Sequence, residues 1–320
     1  MGSPSPPRYQ GSAAPKTVAC AGRPMNYYVL PGVGIYGGIK VGFQFAQLLT
    51  DAGVPMAVAT PGNLAPSWFR CGQPVVDRQQ VVANAGKSDT LIFSLPHDYP
   101  ELKATGARLI FHCQGTAPLI NPILHDRDVT VLTCWEQATT YAMFVARRVS
   151  IDVGISISDA FFHDGSPKDE RCAAFMPRRG AAIAQSAKKH VLSLRFLPID
   201  GVSEDICANS LKRSGFFLGT AVSEGFGLPA LEAMAAGCVV VSVPVVGGME
   251  YLKHGHTAYI AEPTELPAAL AAISKQGAGS RRAALRDGGA AMASRYRIAV
   301  QRKKLRSAME AGLKDALSWS

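Results

Sequence analysis

The chain has 320 residues, of which 48% are hydrophobic and 18% charged, and its formal net charge is +9 at pH 7. This length suits two domains rather than a single core, and the composition excludes an intrinsically disordered protein. The longest nearly apolar stretch, Ala233 to Val246, is interrupted by Ser242 and Pro244 and is shorter than the roughly 20 residues of a membrane-spanning helix.

The first 24 residues are rich in Pro, Gly and Ser and contain no continuous apolar run. They do not resemble a signal peptide, so we expect residues 1–24 to form a flexible tail, with the fold beginning near Met25. The seven cysteines are an odd number, widely scattered and without a C-x-x-C pair. This pattern favours reduced thiols and a cytoplasmic protein over a disulfide framework or a zinc site.

The first half of the chain alternates short apolar strands with glycine loops and helices. A strand at Asn26–Leu30 leads through the glycine loop 31–38 into a helix that Gly53 ends as a C-terminal cap. The helix has apolar residues with helical spacing at Val41, Phe45, Leu48 and Leu49. Further strands are predicted at Met56–Thr60, Thr90–Leu95, Arg108–His112 and Val129–Thr133.

A second series of the same kind follows. Its predicted strands are Ala173–Met176, Val191–Leu197, Phe216–Leu218 and Val239–Val243, and its main helices are Glu204–Arg213 and Leu228–Ala236. Such short apolar runs are typical of parallel sheets covered by helices on both faces. The polar stretch His163–Arg171 is the best hinge candidate, so we predict an N-terminal domain at residues 25–162, a C-terminal domain at 163–293 and a basic C-terminal helix at 294–320 that packs back on the N-terminal domain.

Positive charge is concentrated near the C-terminus. Between Arg281 and Arg306 lie nine Lys or Arg residues and one acid, Asp287. Two interpretations stay open: a solvated helix face, or attraction to an anionic lipid surface and so peripheral membrane contact. No RNA-binding aromatic signature or zinc-finger spacing supports a nucleic-acid partner.

The segment SEGFGLPALEAMAAGC, residues 223–238, carries the clearest chemistry. A glycine turn runs into a helix that has Pro229 in its first turn and Gly237 just past its end. Unpaired N–H groups and the helix dipole make such a helix start a phosphate site. Glu224 and Glu232 bracket it, and carboxylates accept hydrogen bonds from hydroxyl groups. This arrangement fits a diphosphate with hydroxylated sugars at both ends, which is the outline of a nucleotide sugar. In the competing interpretation, both glutamates are surface residues that flank a turn.

This segment resembles the Glu, seven residues, Glu motif of retaining glycosyltransferases of the GT-B fold, in particular glycosyltransferase family 4. The following VVGGMEYLKHGHTAYIAEP is similar to that family's next segment. The resemblance implies two Rossmann-like domains facing each other across a cleft, and a hexosyltransferase-like, metal-independent enzyme of polysaccharide or glycoconjugate biosynthesis. Its donor would be a nucleoside-diphosphate sugar, with no further cofactor, and its acceptor a hydroxyl of a saccharide, a lipid-linked saccharide or a small molecule.

The resemblance also implies roles for individual residues. Glu224 would contact the donor sugar, and Glu232 would contact the ribose. Two glycines, Gly37 and Gly38, would lie at a second helix start that faces the diphosphate or the acceptor from across the cleft. Where the family presents an Arg and a later Lys against the leaving diphosphate, this chain has Arg178 and Arg179. Ser94 takes the place of the family's histidine, so His97 and His112 are possible substitutes. The backbone contacts to the donor would come from Gly225, Phe226, Gly227 and Leu228.

Alternatives from other classes remain. The departures at the lysine and histidine positions are what a non-catalytic sugar-nucleotide-binding subunit would show. Gly32, Gly34 and Gly37 form a G-x-G-x-x-G pattern typical of dinucleotide-dependent oxidoreductases, but no acidic residue follows the second strand. An Asp-x-Asp at 126–128 precedes a strand, which is the wrong end for a ligand site, and we expect a solvated loop there. No residue cluster has metal-ligand spacing, so no metal is predicted.

Overall fold

The computed structural model describes residues 25–222, 224–276 and 281–318. The predicted tail 1–24, with Cys20, and Ser223 at the start of the glycine-turn motif lie outside the described residues.

Two parallel sheets form the frame. The first has seven strands in the order β3-β2-β1-β4-β5-β6-β7, namely β1 Asn26–Val29, β2 Met56–Thr60, β3 Val75–Asp77, β4 Thr90–Phe93, β5 Arg108–Cys113, β6 Val129–Thr133 and β7 Ile151–Asp152. The second has five strands in the order β12-β11-β10-β8-β9, namely β8 Asp169–Phe175, β9 Arg195–Pro198, β10 Ser214–Gly219, β11 Val239–Ser242 and β12 Tyr259–Ile260.

Helices connect the strands and cover the sheets. They are α1 Gly37–Asp51, α2 Arg78–Asn84, α3 Tyr99–Ala104, α4 Asn121–His125, α5 Glu136–Ala146, α6 Ala181–His190, α7 Glu204–Arg213, α8 Leu228–Ala235, α9 Leu266–Ser274, α10 Arg281–Ser294, α11 Ile298–Ala308 and α12 Lys314–Ala316. Each sheet with its helices is a Rossmann-like lobe, and the lobes face each other across a cleft. This confirms the predicted fold class, the GT-B arrangement. None of the helices in the described ranges is long and apolar enough to cross a membrane.

Strand register places the central strands as the hydrophobic pattern predicts. Asn26 of β1 lies opposite both Met56 and Thr90, so β1 is buried between two parallel neighbours.

The predicted strand Val191–Leu197 is wrong in its first half. Val191 and Leu194 are buried because they close the end of α6 against the second sheet, and β9 begins only at Arg195. Three strands that were not predicted, β3, β7 and β12, have only two or three residues each.

The chain crosses between the lobes twice, and the two crossings run side by side. The Ile157 N–H donates to the Tyr296 carbonyl at 2.9 Å, where the chain leaves and re-enters the first lobe. The second part of the predicted hinge, Asp169–Arg171, belongs to β8. Beyond the second crossing, Leu305 and Leu313 pack into the core of the first lobe, so the last helices belong to that lobe.

Candidate active site in the interlobe cleft

The cleft is a cavity of about 1020 Å³ that residues of both lobes line. It lies at the carboxyl ends of the strands, where open parallel sheets place their ligands. Most of the residues predicted from the sequence line it: Gly37, Gly38, Arg178, Arg179, Glu224, Gly225, Phe226, Gly227, Leu228 and Glu232. The tertiary structure therefore brings together candidates from three separate segments of the chain.

The start of α8 is shaped by close backbone packing. Gly227, its N-cap residue, has φ +84°, a conformation that favours glycine. A Cβ on Gly247 would lie 2.0 Å from the Gly225 carbonyl oxygen, so only glycine allows the two turns to approach. The Tyr251 hydroxyl donates to the carbonyls of Phe226, at 3.0 Å, and Gly227, at 2.5 Å. These contacts fix the turn at the start of α8, and Gly227 and Leu228 line the cleft there.

A second helix start faces α8 from the first lobe. A Cβ on Gly37, the first residue of α1, would lie 3.1 Å from Leu228 Cδ1, and a Cβ on Gly38 would lie 3.1 Å from Gln114 Oε1. In the described part of the chain, neither N-cap residue, Tyr36 or Gly227, caps its helix with a side chain. Two helix starts with positive partial charge thus share one cavity, which favours an anionic ligand between them.

Two arginines stand beside these helix starts. A Cβ on Gly180 would lie 2.0 Å from the Thr220 carbonyl oxygen, so this glycine lets the loop after β8 lie directly against the end of β10. Arg179 Nη1 lies 2.8 Å from Glu224 Oε2. Arg178 bonds across the cleft, since its Nη1 donates to the Ile35 carbonyl at 2.6 Å, and its Nε lies 2.7 Å from Asp200 Oδ1. The arrangement presents two cations and two acids, Glu224 and Asp200, to the cavity.

Glu232 has a partner that the sequence did not predict. Its carboxylate is buried, and its Oε1 accepts from Lys40 Nζ at 3.1 Å. Burial raises the pKa of Glu232, while Lys40 acts in the opposite direction. Burial opposes the charge on Lys40, but Glu232 and Glu204 together raise its pKa above the ordinary value. The signal in the sequence is Lys40 itself, a lysine between Ile39 and Val41 in an apolar helix.

Neither candidate histidine lines the cleft. His97 is exposed in the turn after β4. His112 is fully buried: its Nδ1 lies 2.8 Å from the Tyr28 hydroxyl and its Nε2 3.0 Å from Cys134 Sγ. Burial lowers the pKa of His112 to about 3, which favours the neutral form of this histidine. Ser94 and Gln114 line the cavity instead, and Gln114, whose amide donates to the Tyr28 hydroxyl at 3.2 Å, was not predicted.

The Asp-x-Asp motif lies away from the cleft. Asp126 of the Asp-x-Asp loop pairs with Lys103 at 2.5 Å before β6, at the amino end of the sheet. Within the described ranges, no three His, Cys, Asp or Glu side chains cluster as a metal site requires.

The basic stretch near the C-terminus is largely paired with acids of the same chain. Arg282 and Arg286 contact Glu170. Arg297 pairs with Asp159 at 2.8 Å, Arg302 with Asp51 at 3.0 Å and Lys304 with Asp152 at 2.5 Å. Four acids from elsewhere in the chain therefore offset about half of the charge excess that the sequence shows.

Comparisons with known proteins agree with this fold. The family Glycosyl transferases group 1 matches residues 184–284, the region that contains Glu224, α8 and Gly247. No curated protein sequence matches the chain significantly.

Solved structures share the fold at low sequence identity. Anabaena HepE in complex with UDP and glucose has 14% identity and a TM-score of 0.67, covering 90% of this chain and 100% of that one. Sucrose-phosphate synthase from Thermosynechococcus elongatus has 13% identity and a TM-score of 0.71, covering 92% and 100%. A glycosyltransferase from Rickettsia africae has 12% identity and a TM-score of 0.62, covering 90% and 98%.

Proposed function

We propose that this protein is a glycosyltransferase that moves a sugar from a nucleoside-diphosphate sugar to an acceptor hydroxyl with retention of anomeric configuration. The observation that carries the proposal is the pair of opposed helix starts, α1 and α8, with Arg178 and Arg179 beside them in one cavity. The match of residues 184–284 to a glycosyltransferase family supports it, as does the structural likeness to a protein solved with UDP and glucose.

In the proposed complex the diphosphate lies between the two helix starts. Its oxygens would accept from the first N–H groups of α8 and from the two guanidinium groups, since arginine has five N–H donors in a planar fork. Arg179 uses one nitrogen for Glu224 and keeps others for phosphate. Glu224 would contact the donor sugar, and Glu232 the ribose.

The reaction transfers the glycosyl group in one balanced exchange. The bond between the anomeric carbon and the diphosphate oxygen breaks, a bond from that carbon to the acceptor oxygen forms, and the acceptor hydroxyl gives up its proton. Negative charge builds on the leaving diphosphate in the transition state. Hydrogen-bond donors that are already held in position stabilise this charge without having to reorganise. We propose that Arg178, Arg179 and the helix starts supply this stabilisation without a metal ion.

Contacts between the lobes would protect the donor from water. Arg178 donates a hydrogen bond to the Ile35 carbonyl of the first lobe. The Trp135 ring packs against the Phe226 ring at an interplanar angle of 31°, with ring centroids 4.8 Å apart. Such closure limits hydrolysis of an activated sugar. The acceptor we propose is a saccharide or glycoconjugate that enters from the side of the first lobe.

A donor panel tests the proposal. The purified protein is first screened by thermal shift with UDP, GDP, ADP, CDP and dTDP, because a ligand of the native state raises its stability. Sugar nucleotides of the base that binds are then incubated with mixed acceptors, and released nucleoside diphosphate and the anomeric configuration of the product are measured. Release with an inverted product would overturn retention. Binding without any release would instead indicate a non-catalytic sugar-nucleotide-binding subunit.

A further inference from the structure

A buried lysine joins the two lobes at the floor of the cleft. Lys40 lies in the first turn of α1 and is only 4% exposed. Its Nζ lies 3.1 Å from Glu232 Oε1 on α8 and 2.5 Å from Glu204 Oε2 on α7. The ammonium also lies 4.5 Å from the centroid of the Phe161 ring. The cation of one lobe is therefore held by two acids of the other.

We infer that Lys40 is a positioning residue for Glu232: it holds Oε1 of that carboxylate so that Oε2 is directed to a ribose hydroxyl of the donor. The inference rests on the proposed function, which makes Glu232 the ribose contact. It adds a residue of the opposite lobe to nucleotide recognition.

Several contacts fix the ammonium in place. A buried cation requires compensating charge, and here Glu204 and Glu232 supply it together. The Phe161 ring offers a cation–π contact as well. Glu204 is itself tied to the first lobe, because its backbone N–H donates to the Trp68 carbonyl at 2.6 Å. Lys40 thus has little freedom to leave Glu232. It holds the carboxylate in one orientation and opposes the effect of burial, which raises the pKa of Glu232.

The contact between Lys40 and Glu232 depends on the position of the two lobes. Since Lys40 and Glu232 belong to different lobes, opening the cleft separates them and removes the orienting bond. Selective recognition of the ribose hydroxyls is then coupled to lobe closure, and nucleotides that lack a hydroxyl gain less from closure than ribonucleotides do.

The test is a selectivity ratio measured by calorimetry. The probes are whichever of UDP, GDP, ADP and CDP binds the wild type most tightly and the 2′-deoxy counterpart of that diphosphate. We expect the wild type to bind the deoxy compound about tenfold more weakly, the scale of one hydrogen bond to a charged group. In Lys40→Met this ratio falls below about threefold, because the unpaired Glu232 is protonated or turned away.

Two further variants keep the test decisive. Lys40→Met leaves two buried acids without their cation, so Lys40→Gln combined with Glu204→Gln is measured in parallel. This pair removes one cation and one anion together and leaves the net charge of the cluster unchanged, and it is expected to lose the selectivity as well. Glu204→Gln alone is the matched control. Lys40 stays on Glu232 in that variant, and the wild-type ratio is retained.

The outcomes separate the two proposals. If the wild type binds none of these four diphosphates and does not bind dTDP either, the proposed function fails. If it binds dTDP alone, which is a 2′-deoxynucleotide, only the positioning role is overturned. If it binds one of the four but does not discriminate against the deoxy compound, or if the Lys40 variants keep or increase the discrimination, only the positioning role is overturned. A purely structural role of Lys40 would weaken both nucleotides equally and leave their ratio at the wild-type value, which also overturns it.

Discussion

Gly37 faces Leu228 across the cleft, and a Cβ on Gly37 would lie 3.1 Å from Leu228 Cδ1. The two residues begin α1 and α8, which belong to different lobes. Their approach opposes two helix starts, each with a positive partial charge. Since such ends repel each other unless an anion lies between them, the contact itself favours a phosphate-binding cleft.

Removal of single charges at this cleft should abolish transfer. Glu224→Gln and Arg178→Ala are each expected to lower the rate of sugar transfer at least about 100-fold, the scale of one lost transition-state contact. Steady-state release of nucleoside diphosphate measures the effect. Glu262→Gln, an exposed acid on the same lobe, is the control and should keep the wild-type rate. Wild-type rates for both cleft variants would refute the assignment.

Gly247→Ala should damage the donor site through the backbone. The new Cβ would meet the Gly225 carbonyl oxygen at 2.0 Å, so the turn before α8 must shift. We expect the thermal shift produced by the best nucleoside diphosphate to disappear. The matched variant is Gly32→Ala, where a Cβ has no neighbour within 4 Å, and its unfolding free energy should change by less than about 0.5 kcal/mol. Loss of nucleotide binding in Gly32→Ala would favour the dinucleotide alternative.

The C-terminal helices should contribute stability to the first lobe. Leu305 is 1% exposed and packs among the core residues of that lobe, so Leu305→Ala should lower the free energy of unfolding by about 2–5 kcal/mol. Chemical denaturation measures the change. Val300, on the same helix, is 45% exposed, and Val300→Ala should cost no more than about 0.5 kcal/mol. Equal effects of the two variants would contradict the packing of α11 described above.

His112 should make stability depend on pH. Burial lowers its pKa from 6.5 to about 3, so protons bind the unfolded chain more readily. The stabilisation is complete above pH 6.5 and is lost as the pH falls towards 3, at up to about 1.4 kcal/mol per pH unit. In His112→Gln this part of the slope should vanish between pH 6.5 and 4 in denaturant titrations. The exposed His97→Gln should retain the wild-type slope, and a retained slope in His112→Gln would contradict the prediction.

The internal ion pairs of the basic stretch should limit its attraction to anionic lipid. Glu170 contacts Arg282 and Arg286, and Glu170→Gln would leave these guanidinium groups without that acid. We expect binding to phosphatidylserine vesicles at low salt to increase about fivefold, since one charge near an anionic surface contributes about 1 kcal/mol. Glu262→Gln changes the net charge equally at another place. An equal increase in both variants would mean that net charge alone, and not this stretch, determines the binding.

Local sequence patterns determined most of the elements and part of the site. The α8 segment was predicted because Pro229 and Gly237 mark the two ends of a helix within ten residues. β6 and α7 have the predicted bounds, since runs of buried residues and an N-cap serine act over one or two turns. The two-residue strands β7 and β12 cannot be predicted from the sequence, because two residues are too few to show an alternating pattern of apolar and polar side chains.

Contacts between the lobes were decided by the tertiary structure alone. Nothing near Lys40 in the sequence indicates Glu232, which is 192 positions away, or the Ile35 carbonyl as a partner for Arg178. The hydrophobic pattern of a helix specifies which face is buried, but the partner on that face depends on how the lobes are oriented. The sequence by itself therefore determined two helix-covered sheets and a glycine turn at a helix start with two flanking acids. The packing of one lobe against the other decided which cation neutralises which acid, because charges so distant along the chain meet only when both crossings bring the lobes together.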